Sequence, residues 1–271
     1  MRAGLRHVEV GDLSVSREYP STRHFETVVT DRVVEEPWAA ANVRPGERVL
    51  DVGSATSRYL REMPPGCAVY ALDIRRTRPQ PGIAVVQGDV TAAPFRPSSF
   101  DVVTCVSTIE HVGLDVYSQG PDEFGDEVAM RHLRRLLRPG GRLLVSAPFG
   151  RRAVVAWLRV YDWAAFRRLT SGYRLLSAQF YRRQGDEFVP CRREDLSSAG
   201  FDYANVRSDG VILAELTPVG GLGFVLARAA LRLRRTWRRL TSRGRPWWSD
   251  PWSGEPAGSW LRRHKNGQPR Q

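Results

Sequence analysis

Short apolar runs, separated by Pro, Gly and small polar residues, organise the first half of the chain. Val49 to Val52 is the first, punctuated at its start by Pro45-Gly46 and followed by Gly53-Ser54-Ala55. Cys67 to Asp73, Ile83 to Gln87, Asp101 to Val106 and Arg142 to Ala147 repeat the pattern. Runs of this length without polar alternation suit strands covered on both faces. A helix is expected to begin in the small residues after Gly53 and continue through Leu60. Between residues 125 and 137, Val128, Leu133, Leu136 and Leu137 recur at helical spacing and stop before Pro139-Gly140-Gly141. Strands alternating with helices predict βαβ units, hence an α/β, doubly wound and mostly parallel sheet.

Beyond Gly150 the pattern changes. Val154 to Leu169 reads as a helix, Tyr173 to Tyr181 as a strand and Arg192 to Ala199 as a short helix. Either Val211 to Leu216 or Leu222 to Ala227 completes a seven-stranded sheet. Residues 1–42 carry mixed charge without a clean period and are read as a helical N-terminal arm, packed on the surface or lying over the site as a lid. The main domain is then 43–227, divided into 43–150 and 151–227. From Leu226 onward Leu226, Ala230, Leu233, Trp237 and Leu240 mark one helix face, and Arg228, Arg232, Arg235 and Arg239 the other. Residues 228–271 are thus a basic amphipathic helix followed by a Pro-, Gly-, Ser- and Trp-rich end expected to lack order.

Charge sharpens that division. The net +12 is concentrated in residues 221–271, which hold twelve Lys or Arg against two acids, so the body is nearly balanced. A balanced body makes nucleic acid an unexpected partner, although the tail alone would attract phosphates. The tail, with Trp237, Trp247, Trp248 and Trp252, suits peripheral contact with an anionic membrane; a helix docked on the body is the alternative. Cys67, Cys105 and Cys191 are odd in number and far apart, which argues against a disulfide framework or a zinc site and for a reducing compartment. With no apolar leader and no run near the roughly 18 residues of a membrane span, the expected location is cytoplasmic, at most associated with the inner membrane face.

Candidate chemistry gathers at the strand ends. Asp51, Asp73 and Asp89 each sit at or near the end of a predicted parallel strand, and such ends line one crevice. Asp73 lies 20 residues after Gly53, the place for an acid that accepts from ribose hydroxyls, and Asp89 is within reach of an adenine amino group. No G-x-G-x-x-G is present, and the only lysine is Lys265, so neither a pyrophosphate grip nor a P-loop is available. The spacing suits an adenosine-bearing cofactor.

At this point a family resemblance enters. Val49-Leu50-Asp51-Val52-Gly53-Ser54-Ala55-Thr56-Ser57 resembles the first motif of class I S-adenosylmethionine-dependent methyltransferases. Tyr70 to Ile74, Gln87 to Val90, Phe100 to Val103 and Leu136 to Leu143 resemble the following motifs, in order, over roughly residues 43–150. The resemblance implies a Rossmann-like fold, S-adenosyl-L-methionine as cofactor and methyl transfer as activity. It also implies that Gly53, Ser54 and Ala55 face the methionine portion, that Asp73 with Ile74 holds the ribose, that Asp89 and Val90 meet the adenine, and that Ser107 lies near the sulfonium. The family commonly has Gly where this chain has Ala55 and Ser57. For Asp51, direct cofactor contact and bracing of the turn stay open.

Ser107 to Leu114 follows the fourth strand, where the resemblance places the sulfonium. His111 is the candidate general base for an acceptor hydroxyl, with Glu110 orienting it or gripping the cofactor; a pair that only starts a helix and braces the loop is the alternative. Asp115, Asp122, Glu123, Asp126 and Glu127 read as a solvated loop and helix start rather than a metal site. Tyr117 and Tyr161 are candidate acceptor contacts, Tyr161 with Trp163 as an aromatic wall or else as core. The expected function is O-methylation of a hydroxyl on a saccharide or glycosylated small molecule, resembling bacterial glycan and natural-product enzymes. N- or C-methylation of another metabolite, or a binding protein on a degenerate fold, are the rivals.

Overall fold

The computed structural model describes residues 30–116, 120–155, 157–202, 207–220, 229 and 232–237. In chain order the elements are helix α1 (Arg32–Ala41), strands β1 (Arg48–Val52), β2 (Ala68–Asp73), β3 (Ile83–Gln87) and β4 (Phe100–Cys105), helix α2 (Gly125–Leu136) and strand β5 (Leu137–Pro148). There follow β6 (Ala153–Val154), β7 (Arg159–Val160), helix α3 (Trp163–Leu169), β8 (Tyr173–Gln184), β9 (Glu187–Cys191), β10 (Phe201–Asp202), β11 (Arg207–Ser208) and β12 (Gly210–Pro218). The main sheet has the order β3-β2-β1-β4-β5-β12-β8-β9. Its first five strands are parallel; β12 is antiparallel to β5 and β8, and β9 folds back on β8. The chain order turns back at β1, so the carboxyl ends of β1 and β4 bound the crevice where such sheets take ligands.

The sheet has eight strands rather than the expected seven, because β8 continues past Tyr181 and turns at Gly185 (φ 60°) into β9. Val211 to Leu216, within β12, completes its centre; β12 is buried from Gly210 to Ala214, as an apolar run in the middle of a sheet requires. The rival segment Leu222 to Ala227 lies outside the described residues, as do residues 1–29 and the chain from 238 onward.

Two further expectations are corrected. Instead of one helix after Gly53 there are two 3-10 turns, Ser54–Thr56 and Tyr59–Glu62. Ser and Thr compete with the backbone for hydrogen bonds, and Pro64-Pro65 ends the segment before an α-helix can lengthen. The stretch Val154 to Leu169 is not one helix either. Its β-branched first half makes the β6–β7 hairpin, and α3 starts only where the Asp162 carboxylate caps the Ala165 N–H at 2.7 Å.

Both sheet faces are covered. On one, Leu50, Val103, Leu143 and Val145 pack with Met130 and Leu133 of α2 and Phe166 of α3. On the other, Val49, Val102, Leu144 and Leu213 pack with Trp38 and Ala39 of α1 and with Tyr59 and Leu60. A third cluster (Leu114, Val116, Val155, Trp157, Leu158, Val160) joins the loop after β4 to the β6–β7 hairpin. In the tail, Arg232 to Trp237 is helical, and Arg234 and Arg235 pair with Glu127 and Asp122. Leu233 and Trp237 are 70% and 66% exposed, so a basic face meets the body and these apolar residues face away. No described helix is long and apolar enough to cross a membrane.

Candidate active site

The site begins with a backbone constraint. Gly53 leaves β1 at φ 80°, and a Cβ there would lie 2.0 Å from the Thr108 Oγ1. Only glycine permits both the left-handed conformation and this approach of the β1 turn to the end of β4. The next N–H groups turn inward: Ala55 N–H donates to Asp73 Oδ2 at 2.9 Å. Ser57 adopts φ −74°, a conformation open to any residue, so a side chain in place of the family's glycine costs no backbone strain.

Asp73 ends β2, buried, and also accepts from the Arg75 backbone (2.8 Å) and guanidinium (3.1 and 3.2 Å). Ile74 lies beside it, partly exposed. Asp89 caps the 3-10 turn at Val90, accepting from Thr91 N–H at 2.7 Å through Oδ1. Asp51 lies one residue before the strand's end and is fully buried. Its Oδ1 accepts from the Tyr59 and Thr104 hydroxyls, and burial raises its pKa to about 6 against the pull of the Ser57, Thr104 and Tyr59 hydroxyls. These bonds are those of an acid bracing the turn.

At the end of β4, Ser107 holds a left-handed backbone (φ 43°), with its N–H on the Ser146 Oγ and its hydroxyl donating to Glu35 Oε2 at 2.5 Å. Non-glycine strain of this kind concentrates at functional sites. Glu110 follows, 2% exposed, with Oε1 3.6 Å from His111 Nε2. Burial first, then the charges of Glu35 and Asp31, push the Glu110 carboxyl well above its ordinary value, which favours its uncharged form. His111 stacks on Trp157, and its Nδ1 lies 2.5 Å from the Trp157 carbonyl oxygen. A carbonyl only accepts, which assigns the ring proton to Nδ1 and leaves Nε2 with a free lone pair. Burial, helped by Arg32, Arg75 and Arg159, lowers the His111 pKa to about 4.

Two residues missing from the sequence-based set complete the site. Glu35 reaches it from α1 and is fully buried; burial and the nearby Asp31 charge raise its pKa to about 8. Its signal was readable: Glu35 shares a helix face with Trp38 and Ala39, so it is an acid on an apolar stripe. Arg159 of β7, also buried, donates to the carbonyls of Glu110, Val112 and Glu123 and fixes the loop that carries Glu110 and His111. Nothing in the local sequence marks Arg159, because the carbonyls it reaches and the Asp126 carboxylate 3.6 Å from its Nε lie far along the chain.

Tyr161 is a correction. It is 4% exposed, and its hydroxyl donates to Asp126 at 2.8 Å. It belongs to the core and offers no wall to a sugar ring; Trp163 packs between Phe166, Phe180 and the Arg193 guanidinium. Tyr117 lies outside the described residues. In the acidic loop, Asp122 and Glu127 pair with tail arginines, Glu127 also with Arg168, and Asp115 accepts from Gly120 N–H.

Six buried side-chain polar atoms among the described residues have no hydrogen-bond partner, and four of them belong here: Glu35 Oε1, Asp51 Oδ2, Ser54 Oγ and Glu110 Oε2. Buried polar atoms of a folded protein are ordinarily satisfied, so their concentration marks a place for a polar ligand. The acid-rich surroundings favour a positively charged one.

A family profile described as a methyltransferase domain matches residues 50–145. This stretch is similar to a methyltransferase domain. The class I resemblance drawn from the motifs therefore holds across it. The matched stretch contains every cofactor and catalytic candidate from Asp51 to His111, whereas Glu35 and Arg159 lie outside it. The chain is 30% identical over 167 residues to a demethylmenaquinone methyltransferase of Beutenbergia cavernae, covering 59% of this chain and 61% of that protein. It is 32% identical over 160 residues to the ubiquinone/menaquinone biosynthesis C-methyltransferase UbiE of Ectopseudomonas mendocina, covering 52% and 58% respectively. This chain thus spans about three fifths of the length of these two curated relatives. The crystal structure of the [4+2]-cyclase SpnF superposes with a TM-score of 0.49 at 17% identity, covering 68% of this chain and 80% of that one.

Proposed function

We propose that the chain transfers a methyl group from S-adenosylmethionine to a small-molecule acceptor bearing an acidic hydroxyl of the phenol or enol kind. The observation that carries this is the set of unpartnered buried polar atoms on Glu35, Asp51, Ser54 and Glu110, beside the Gly53 turn and the strand-end acids Asp73 and Asp89. Asp73 would hold the ribose hydroxyls, Asp89 the adenine amino group, and residues 53–55 the methionine portion. The bound cofactor supplies a methyl group on positively charged sulfur. The chain's own part is alignment and proton removal. His111 Nε2, neutral at pH 7, receives the acceptor's proton as the new bond to the methyl carbon forms.

The lowered pKa of His111 bears on the acceptor. A weak base assists best where the proton is already acidic, which favours a phenol or enol over a sugar alcohol. Ionising such a hydroxyl also activates the adjoining ring carbon, so the methyl group ends on either oxygen or carbon. The relatives named above are methyltransferases of quinone biosynthesis, one of them named for C-methylation, which supports the carbon outcome. The narrower expectation of a saccharide has lost Tyr161 as its wall and is not carried further.

Titration calorimetry with S-adenosylmethionine and with its demethylated product tests the cofactor assignment; absence of binding by both removes it. Labelled methyl transfer to a cell extract, followed by mass analysis, identifies the acceptor and the methylated atom. With that acceptor, His111→Ala should lower turnover about a hundredfold and leave cofactor affinity within a factor of about two. Unchanged turnover would take His111 out of the chemistry.

The exposed Leu233 and Trp237, on a basic tail held to the body by Arg234 and Arg235, support a second proposal: peripheral contact with an anionic membrane, suited to an apolar acceptor. The full chain should float with anionic vesicles in low salt, and Leu233→Asp combined with Trp237→Asp should reduce the floating fraction several-fold. Equal flotation of the two proteins would count against it.

A further inference from the structure

Glu35 and Glu110 reach one place from distant parts of the chain, one on α1 and the other on the turn after β4. They are 0% and 2% exposed, and each has an oxygen without a hydrogen-bond partner. Ser107 connects them: it follows β4, three residues before Glu110, and spends its hydroxyl on Glu35. The groups that face the pair are Asp31 and Arg32 on α1, Cys105 and His111 from the β4 side, and Ser146 on β5. Arg32 is the cation nearest in sequence, yet its guanidinium is turned to Glu36 at 3.1 Å and to the Thr56 carbonyl at 3.5 Å. Two carboxyls, linked through Ser107 and close enough for the Glu35 charge to act on Glu110, are therefore buried without a hydrogen-bonded cation, an arrangement that burial alone makes costly.

Taking the methyltransferase reading as the base, we infer that Glu35 and Glu110 together form the seat for the cofactor's positively charged sulfur. With no cation hydrogen-bonded to them, both carboxyls are displaced toward the protonated form, chiefly by burial. A sulfonium beside them favours the ionised form, so a proton leaves as the charged cofactor arrives. After methyl transfer the sulfur is a neutral thioether and the attraction is gone. The carboxyl pair then discriminates between cofactor and product by one unit of charge, in a site whose low dielectric makes that charge count. Glu35 thereby becomes a cofactor-contacting residue, and α1 becomes a structural part of the site.

The test compares two ligands that differ in the methyl group and its charge. Calorimetry on the full, unaltered chain at pH 7, repeated in two buffers of different ionisation enthalpy, counts the protons released. S-adenosylmethionine should release about one proton more than the demethylated product, and equal release overturns the inference. Glu35→Gln, confirmed as folded by its melting curve, should reduce the preference for S-adenosylmethionine over the product by about tenfold. If both ligands weaken equally, Glu35 supports the amino-acid end or merely holds α1, and the sulfonium assignment is overturned. If the unaltered chain binds neither ligand, the methyltransferase reading itself fails and this inference fails with it. Binding of both without a difference in protons or preference defeats the inference alone.

Discussion

Arg142→Met should cost about 3–5 kcal/mol of unfolding free energy, the effect of removing one partner from a buried ionic cluster. Arg142 is on β5 and buried, and both terminal nitrogens of its guanidinium are engaged. Nη2 donates to both Glu47 carboxylate oxygens at 2.8 and 2.9 Å; Nη1 donates to Glu215 Oε1 at 3.0 Å and to the Asn42 carbonyl at 2.9 Å. These partners belong to the end of α1, the approach to β1, and β12. Methionine fills much of the volume but leaves two poorly solvated carboxylates facing each other. Urea unfolding should show the loss as a lower midpoint with an unchanged slope. Adding Glu47→Gln and Glu215→Gln should recover most of it, since neutral partners no longer need a counter-charge. A loss below about 1 kcal/mol for the single change would show that the cluster is solvated in solution.

Glu35→Gln should stabilise the ligand-free protein at pH 8 and leave it unchanged at pH 4. The sign follows from proton binding. The Glu35 pKa rises from its ordinary 4.5 to about 8 on folding. Below 4.5 the carboxyl is protonated in folded and unfolded chains alike, so it carries no penalty. Between 4.5 and 8 the unfolded chain gives up the proton while the folded one keeps it, and stability falls as pH rises, by about 1.4 kcal/mol per unit. Glutamine keeps the shape and can still accept from the Ser107 hydroxyl, so it removes the titration and little else. Melting curves of both proteins at pH 4 and pH 8 decide the matter. A variant no more stable than the parent at pH 8 would mean that Glu35 is already ionised in the folded state. Gained stability together with lost preference for the charged cofactor is what a site under functional strain predicts.

How much of this was readable beforehand depends on the range of the interactions. The five parallel strands were legible because a strand covered on both faces must be a continuous apolar run, and Pro-Gly pairs mark its limits. Asp73 and Asp89 were legible because parallel strands of one sheet bring their ends together whatever the connections do. The helix after Gly53 was misread because Ser54, Thr56 and Ser57 look like a helix start, whereas the turn takes no side-chain cap and Ser57 leaves it in an extended conformation. The Val154 to Leu169 stretch was misread because Trp157, at helical spacing from Tyr161, serves a hairpin equally well when a separate cluster buries it. Tyr161 shows the same limit at the level of one residue. Only the position of Asp126 makes it a core hydroxyl rather than an exposed ring.

By itself, the sequence determined the α/β sheet, the adenosine-directed acids and the strand-end location of the site, because each follows from local periodicity or from the geometry of parallel strands. The tertiary structure alone decided that α1 belongs to the site. Glu35, Ser107 and Glu110 meet across more than seventy residues, and neither periodicity nor spacing carries information over that distance. It also decided the chemical state of the site. The Glu110 carboxyl is displaced toward its uncharged form and the His111 pKa is lowered to about 4 because of what surrounds them, and burial is a property of the packed molecule rather than of any stretch of chain.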